Sequence, residues 1–382
     1  MIRLCVNCLL PSSKPDLYFD EEGVCTACTA YFDRPNIDWD KRRAELLKIL
    51  ETYRRSDGYW DCLIGVSGGK DSTFQVIKML EFGMNPLCVT ATTCDESELG
   101  RKNIENLKNL GVDHLQVSPN PLVRRKLNRL CLNEVGDIQW PEHVGIFTIP
   151  FKVASQYEVG LIIYGENPQN EFGGPDLAAK ANVMDRRWME EFGGLLGLRV
   201  SDLSETYKIP KKNLVPYEYP TLDELSKSRV SAIFLGQFLP WDGFENYKCA
   251  SDSGFLPYSA DIEGSIGNYE NLDNYQQGIH DYFKYLKFGF GRATDIASLH
   301  IRRGRMTRDE GLRLVRERDG RFPWSYLGKT LEQILKPLEM SVDDFVAVCD
   351  RFTNRELFAS DLEGNLIKDE NGNLQKRKDW LA

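Results

Sequence analysis

Histidine is scarce in this chain of 382 residues, with only His114, His143, His280 and His300. None pairs with another at the spacing that puts two imidazoles on one helix face, so each is read singly, as a structural residue. Long apolar runs are also missing. Stretches such as Gly160-Leu161-Ile162-Ile163-Tyr164 fall far short of the roughly 20 residues of a membrane-spanning helix. The first residues show no signal-peptide pattern, so no membrane span and a cytoplasmic location are expected. Positive charge does not dominate, because 48 Lys and Arg against 57 Asp and Glu leave a formal charge of −9. That balance argues against broad nucleic-acid binding. A nucleophile for glutamine hydrolysis is lacking too. Residue 2 is Ile, and Cys62, Cys88, Cys94, Cys131, Cys249 and Cys349 sit in no recognisable nucleophile turn. If the chain uses ammonia, another protein is expected to make it.

The four remaining cysteines form two knuckles, Cys5-Val6-Asn7-Cys8 and Cys25-Thr26-Ala27-Cys28, with sixteen residues between them. In a reducing compartment such a pattern points to metal rather than to disulfides. Four thiolates and no spare ligand predict a closed, structural Zn2+ tetrahedron. An iron–sulfur cluster, or four unrelated buried cysteines, are the other readings.

The richest segment is Gly65-Val66-Ser67-Gly68-Gly69-Lys70-Asp71-Ser72-Thr73, which follows the apolar run Cys62-Leu63-Ile64 and opens a helical pattern through Phe74, Ile77 and Leu80. Adjacent glycines let backbone N–H groups close around an anion, and the helix N-terminus behind them adds partial positive charge. Ser67, Ser72 and Thr73 bring hydroxyls, and Lys70 brings a cation. It is not a Walker A loop, since the glycine spacing is too short and Asp71 stands where Ser or Thr would hold magnesium. The Ser-Gly-Gly-x-Asp-Ser order resembles instead the PP-loop of the ATP pyrophosphatase group, which grips pyrophosphate during attack on the α-phosphate. An ordinary glycine turn is the bland alternative.

Strand patterns at 62–66, 87–92, 114–117, 161–165 and 232–235 alternate with amphipathic segments at 74–82, 104–110, 122–130 and around 151–157. That alternation predicts an α/β fold, a parallel sheet with helices on both faces and ligands beyond the strand C-termini. Two more strand ends carry candidate chemistry. One is Gly165-Glu166-Asn167-Pro168-Gln169-Asn170-Glu171, suited to magnesium, water or a sugar, or else a polar surface loop. The other is Thr93-Cys94-Asp95-Glu96, placed to lie beside a nucleoside. Beyond about residue 240 the chain turns mainly helical, with a capping-box pattern at Thr307–Glu310, a helix through Val342–Phe352 and a small Asn-Gly hairpin in the tail. Eight arginines lie between Arg302 and Arg321. They suit phosphate or carboxylate recognition, or a solvated helix face or partner interface.

Together, the cysteine knuckles, SGGKDS from Ser67, GEN from Gly165, LPWDGFEN from Leu239 and KFGFGRATD from Lys287 resemble the N-acetyl sugar amidotransferase family of bacterial O-antigen, surface-polysaccharide and flagellin-glycan synthesis. The resemblance implies a PP-loop (adenine nucleotide alpha hydrolase-like) domain, ATP and Mg2+ as cofactors, and conversion of a sugar N-acetyl group to an acetamidino group through an O-adenylyl imidate. It implies ammonia from a separate glutaminase partner, often with a cyclase-like barrel companion. The substrate would be a nucleotide sugar, such as a UDP-linked diacetamido uronic acid, or a nine-carbon diacetamido acid. On this reading Ser67, Gly68, Gly69, Ser72 and Thr73 hold pyrophosphate, with Lys70 stabilising its charge and Asp71 holding the loop or Mg2+. Glu166 and Asn167 would contact metal or the acetamido group, and Arg292 a substrate phosphate or carboxylate. The corresponding modules are residues 1–38 (zinc knuckle with four cysteine ligands), 39–240 (PP-loop domain) and 241–382 (helical region with a β tail). The rival readings are a tRNA-thiolating PP-loop enzyme, kept open by Cys94 and Cys131, and a non-enzymatic ATP sensor.

Overall fold

A computed structural model describes residues 2–166 and 197–377. Five parallel strands, β1 (Cys62–Gly65), β2 (Pro86–Ala91), β3 (Asp113–Val117), β4 (Leu161–Tyr164) and β5 (Ser231–Phe234), lie in the order β3-β2-β1-β4-β5. The described α-helices are α1 (Thr26–Phe32), α2 (Trp39–Tyr53), α3 (Lys70–Glu81), α4 (Glu98–Lys108), α5 (Pro121–Val135), α6 (Trp140–Gln156), α7 (Val200–Glu205) and α8 (Leu222–Ser228). They continue with α9 (Gly243–Asp252), α10 (Gln277–Phe288), α11 (Arg292–Arg302), α12 (Arg308–Arg318), α13 (Leu331–Leu335) and α14 (Val342–Phe352). All five strands predicted from the sequence are present within a residue or so of the expected bounds.

The period-2 alternation of the central strands builds two cores. Cys62, Ile64, Cys88, Leu161 and Ile163 pack with Leu46 and Leu50 of α2 and Val76 and Met79 of α3. Leu63, Leu87, Val89, Ile162 and Ala232 face the other way, onto Ile149, Phe151, Val153 and Ala154 of α6. Edge strand β3 is only half buried and carries Asp113 and Gln116, the polar edge that discourages pairing with another chain. From β1 the chain winds outward through β2 to β3, then returns to the other side of β1 with β4 and β5. The switch point of this doubly wound sheet therefore lies between β1 and β4, and ligands of such sheets sit outside the strand C-termini there.

Helix α6 begins eleven residues before the expected Phe151, because Pro150 lies inside it and masks the period. Proline takes away the N–H that would bond the carbonyl four residues earlier. Here the Tyr164 hydroxyl donates to that carbonyl, Ile146 O, at 3.3 Å. A third core joins Phe283 and Leu286 of α10 to Leu331, Phe345 and Val348 of the C-terminal helices. The tail holds two turns rather than one hairpin, with bridges Ser360↔Leu366 and Lys368↔Leu374. Asp361 and Asp369 each accept the backbone N–H of the Asn four residues on, at 2.8 and 2.9 Å. Gly364 and Gly372 supply the positive φ that each turn needs.

Candidate nucleotide and metal sites

The Ser67–Thr73 loop leaves the C-terminal end of β1, at the switch point. Val66 N donates to Val89 O at 2.9 Å, and Thr90 Oγ1 donates to Val66 O at 2.7 Å, so the strand ladder carries the chain rigidly into the turn. Gly68 has φ +76°, and a Cβ there would lie 2.8 Å from Ile104 N and 2.9 Å from Ile104 Cγ1. Only glycine satisfies both the left-handed backbone and the approach of α4. Gly69 caps α3 in extended geometry. Its carbonyl accepts the hydroxyls of both Ser72 and Thr73 at 3.0 Å. These hydroxyl protons, expected to face phosphate, hold the turn instead. The first-turn amides of α3 lack intrahelical acceptors by construction, and with the helix dipole they suit the loop to holding an anion.

Lys70 is 3% exposed. Its ammonium lies 2.5 Å from Asp71 Oδ2 and 2.9 Å from Glu270 Oε1. Burial alone would depress it, but the two carboxylates outweigh that and hold it above the ordinary lysine value. Asp71 is one-third exposed, and its other oxygen accepts from Asn246 Nδ2 at 2.8 Å. Glu270 and Asn246 were not singled out from the sequence. Asn246 closes the LPWDGFEN block, so its signal was present; Glu270 lies in an irregular segment with none.

At the end of β4, Gly165 is pressed between Gln75 and Trp241, each 2.8 Å from where its Cβ would be. Half-buried Glu166 follows, while Asn167 and the rest of that loop through Gly173-Gly174-Pro175 lie outside the described residues. Beyond β2 and β3 opens a cavity of about 470 Å³ lined by Thr92, Thr93, Cys94, Asp95, Arg101 and Ser118. This is where the sequence placed the nucleoside. Arg124 donates to the Thr92 carbonyl there, Glu142 Oε1 accepts from Cys94 N at 3.0 Å, and Lys329 pairs with Asp95 at 2.6 Å. Burial, with Glu142 beside it, pushes the Cys94 thiol up to about 12.

Arg292 is committed to protein partners. It donates to Asp281 at 3.2 Å, and Asn271, with its amide oxygen turned inward, accepts from the same guanidinium at 3.0 and 3.1 Å. A substrate acid at Arg292 would compete with Asp281. The N-terminus of α11 is likewise filled: Asp319 accepts from Gly291 N at 2.8 Å and Ala293 N at 3.0 Å.

The four N-terminal cysteines converge, all buried, with their sulfurs within 4.8 Å of one another. Sγ–Sγ separations of 3.9 Å (Cys5–Cys28) and 3.5 Å (Cys8–Cys25) compare with about 3.8 Å for a tetrahedron of Zn–S bonds near 2.3 Å. Asn7 Nδ2 donates to Cys28 Sγ at 3.2 Å and Cys25 N to Cys5 Sγ at 3.3 Å. Such N–H···S donors orient thiolates and spread their charge. The donor set fits Zn2+. Part of the arginine cluster serves this module. Arg302 Nη1 reaches Cys8 Sγ at 3.6 Å and Arg308 donates to Cys5 O at 3.5 Å. Arg303 and Arg305 clasp Asp242 at 3.2 and 2.6 Å, and Asp242 caps α9, the helix that carries Asn246. The structure also joins two histidines that the sequence left separate, His143 and His280, across Asp137.

Residues 263–368 match the family model "LPS biosynthesis protein WbpG-like, C-terminal domain". The uncharacterized protein MJ1599 of Methanocaldococcus jannaschii is 30% identical over 116 residues, 30% of this chain and 40% of that relative. The chain thus spans well under half of the curated relative it matches. Among solved structures, the NMN synthetase of Francisella tularensis is 11% identical with a TM-score of 0.28, covering 59% of this chain and 99% of that one. The NH3-dependent NAD synthetase of Campylobacter jejuni gives 11% and 0.27, covering 59% and 100%. At such scores neither bears on the fold, which stands on its own strand order and on the loop at its switch point. Following that α/β domain along the chain, residues 263–368 are similar to the C-terminal domain of WbpG-like lipopolysaccharide-biosynthesis proteins.

Proposed function

We propose that the chain is an ATP-dependent, AMP- and pyrophosphate-forming amidotransferase that converts a sugar N-acetyl group to an acetamidino group in surface-glycan biosynthesis. The observation that carries this reading is the union, in one chain, of an anion-cradling SGGKDS loop at a sheet switch point with a WbpG-like domain. An amide oxygen is a poor leaving group. Its attack on the α-phosphorus of ATP expels pyrophosphate and gives an O-adenylyl imidate. Ammonia then adds to the imidate carbon, AMP leaves with the oxygen, and loss of a proton completes the amidine.

In this scheme Ser67, Gly68, Gly69, Ser72 and Thr73 shape the cradle, and the α3 amides bind the departing pyrophosphate. Buried Lys70 fixes Asp71 through their ion pair. Asp71 and Glu166, with Asn167, are the oxygen donors that would hold a Mg2+ ion bound with the triphosphate, or contact the acetamido group. Zn2+ at Cys5, Cys8, Cys25 and Cys28 is structural, because four thiolates leave no open position. Residues 1–38, 39–240 and 241–382 are the corresponding modules. Ammonia comes from a glutaminase partner, with a cyclase-like barrel as companion, and the acceptor is a diacetamido nucleotide sugar or nine-carbon acid. The tRNA-thiolation alternative loses support from the raised Cys94 thiol, since thiolate is the reactive form.

The test is pyrophosphate release from ATP and ammonium chloride with a panel of diacetamido sugars, with product mass read in parallel. Sugar-dependent release, with a product lighter by the difference between oxygen and NH, is expected. Release only with unmodified tRNA and a sulfur donor would overturn the assignment, and nucleotide binding without release under any condition would favour the sensor.

A further inference from the structure

Asp137 lies between α5 and α6, His143 in the first turn of α6, and His280 in α10. The Asp137 side chain is 4% exposed, with His280 Nδ1 2.9 Å from its Oδ1 and His143 Nδ1 3.1 Å from its Oδ2. The two imidazoles meet edge to face with centroids 4.7 Å apart. One ligand-type atom from each of the three residues falls within 4.8 Å of the other two. Nitrogen and oxygen ligands about 2.0–2.2 Å from one tetrahedral divalent ion stand about 3.3–3.6 Å from each other, so the two His–Asp contacts need to open by only a few tenths of an ångström to admit one. Gln139 N donates to Asp137 Oδ1 at 2.9 Å and anchors the carboxylate from behind, the outer support that metal sites need. Lys287, a cation beside this cluster, gives its N–H groups to the carbonyls of Val135 and Gly136 at 2.7 and 3.0 Å.

We infer that Asp137, His143 and His280 form a second metal site, for a divalent transition ion such as Zn2+. Two imidazoles and one carboxylate select such ions over Mg2+ or Ca2+, which prefer all-oxygen shells. The site differs in kind from the closed cysteine tetrahedron. Three protein ligands leave coordination positions unfilled, and the His143 and His280 side chains are 28% and 27% exposed. It also borders the loop after β2: Glu142, next to His143, holds Cys94 N, and Tyr275 N, five residues before His280, donates to Asp95 O at 3.0 Å. The inference does not rest on the amidotransferase reading.

The test uses the full chain, stripped of metal and reloaded with Zn2+ or Co2+ in the absence of ATP, with ions per chain counted by elemental analysis. The comparison is a His143→Gln/His280→Gln double variant, whose amides still donate to Asp137 and so protect the fold, checked by circular dichroism. The expected result is one ion fewer per chain in the variant. The Co2+ spectrum should lose its weak ligand-field bands from nitrogen and oxygen ligation and keep its thiolate charge-transfer absorption. Equal counts in the two proteins would overturn the inference. So would a saturated wild type whose Co2+ spectrum is wholly that of thiolate ligation, a readout that needs no variant.

Discussion

Replacing Lys70 by Met tests the electrostatic core of the Ser67–Thr73 loop. The substitution keeps the aliphatic stem and removes the ammonium, leaving Asp71 and Glu270 facing each other across the 2.5 and 2.9 Å contacts that Lys70 now makes. Removing one partner of a buried ion pair costs about 3–5 kcal/mol, because a charge is left buried and uncompensated. Asp71 is 34% exposed and Glu270 18%, so water relieves part of the penalty and about 2–3 kcal/mol is expected. At about 2–4 °C per kcal/mol for a domain of roughly 200 residues, the melting temperature should fall by about 4–12 °C. The double variant Lys70→Met/Glu270→Gln removes the deeper of the two stranded carboxylates and should recover about half of the loss. Thermal scans of both proteins without ligand measure the effect. A Lys70→Met protein that melts within about 1 °C of wild type, or a double variant that melts below the single one, would refute the reasoning.

Gly68→Ala should weaken ATP binding at least tenfold by isothermal titration, since its Cβ would lie 2.8 Å from Ile104 N at φ +76°; unchanged affinity would show that the loop is not the cradle. His300 supplies a pH dependence. Burial, with Arg305 beside it, lowers its imidazole to about 4, below the unfolded value of about 6.5. Its neutral form is therefore favoured in the fold, and that contribution is present above pH 6.5 and lost as pH falls towards 4. His300→Gln should flatten wild-type urea stability over this window, and a parallel loss in both proteins would exclude the histidine. Arg302→Met removes the cation 3.6 Å from Cys8 and should lower Zn2+ affinity about tenfold or more in a chelator competition. An unaltered affinity would make Arg302 a packing residue only.

The sheet was legible because buried parallel strands are short apolar runs between glycine-rich turns, and those runs stood at regular intervals with helical periods between them. The loop was legible because its chemistry is local: Gly68, Gly69 and the α3 cap lie within a few residues. The partners of Lys70 and Asp71 were not, since Glu270 and Asn246 are brought in from far along the sequence, Asn246 being 175 residues from Asp71. His143 and His280 looked isolated for the same reason. They are 137 residues apart by number and meet only because α6 and α10 both flank Asp137. Pro150 hides the true length of α6 in the sequence, and its cost is offset by a tyrosine from a neighbouring strand. Arg292, prominent in its glycine-rich block, suggests an outside anion from sequence, whereas its partner Asp281 lies eleven residues earlier in the chain.

The route from Cys8 through Arg302 to α11, and from Arg303 and Arg305 through Asp242 and the α9 backbone to Asn246 and Asp71, ties the N-terminal module to the Ser67–Thr73 loop. A Zn2+ ion held by the four cysteines would, through this route, bear on how firmly that loop is held. Preparations that lose the N-terminal ion would keep an intact SGGKDS sequence and sheet, yet bind nucleotide like a loop mutant. Activity that varies from batch to batch would follow metal content rather than damage to the catalytic residues.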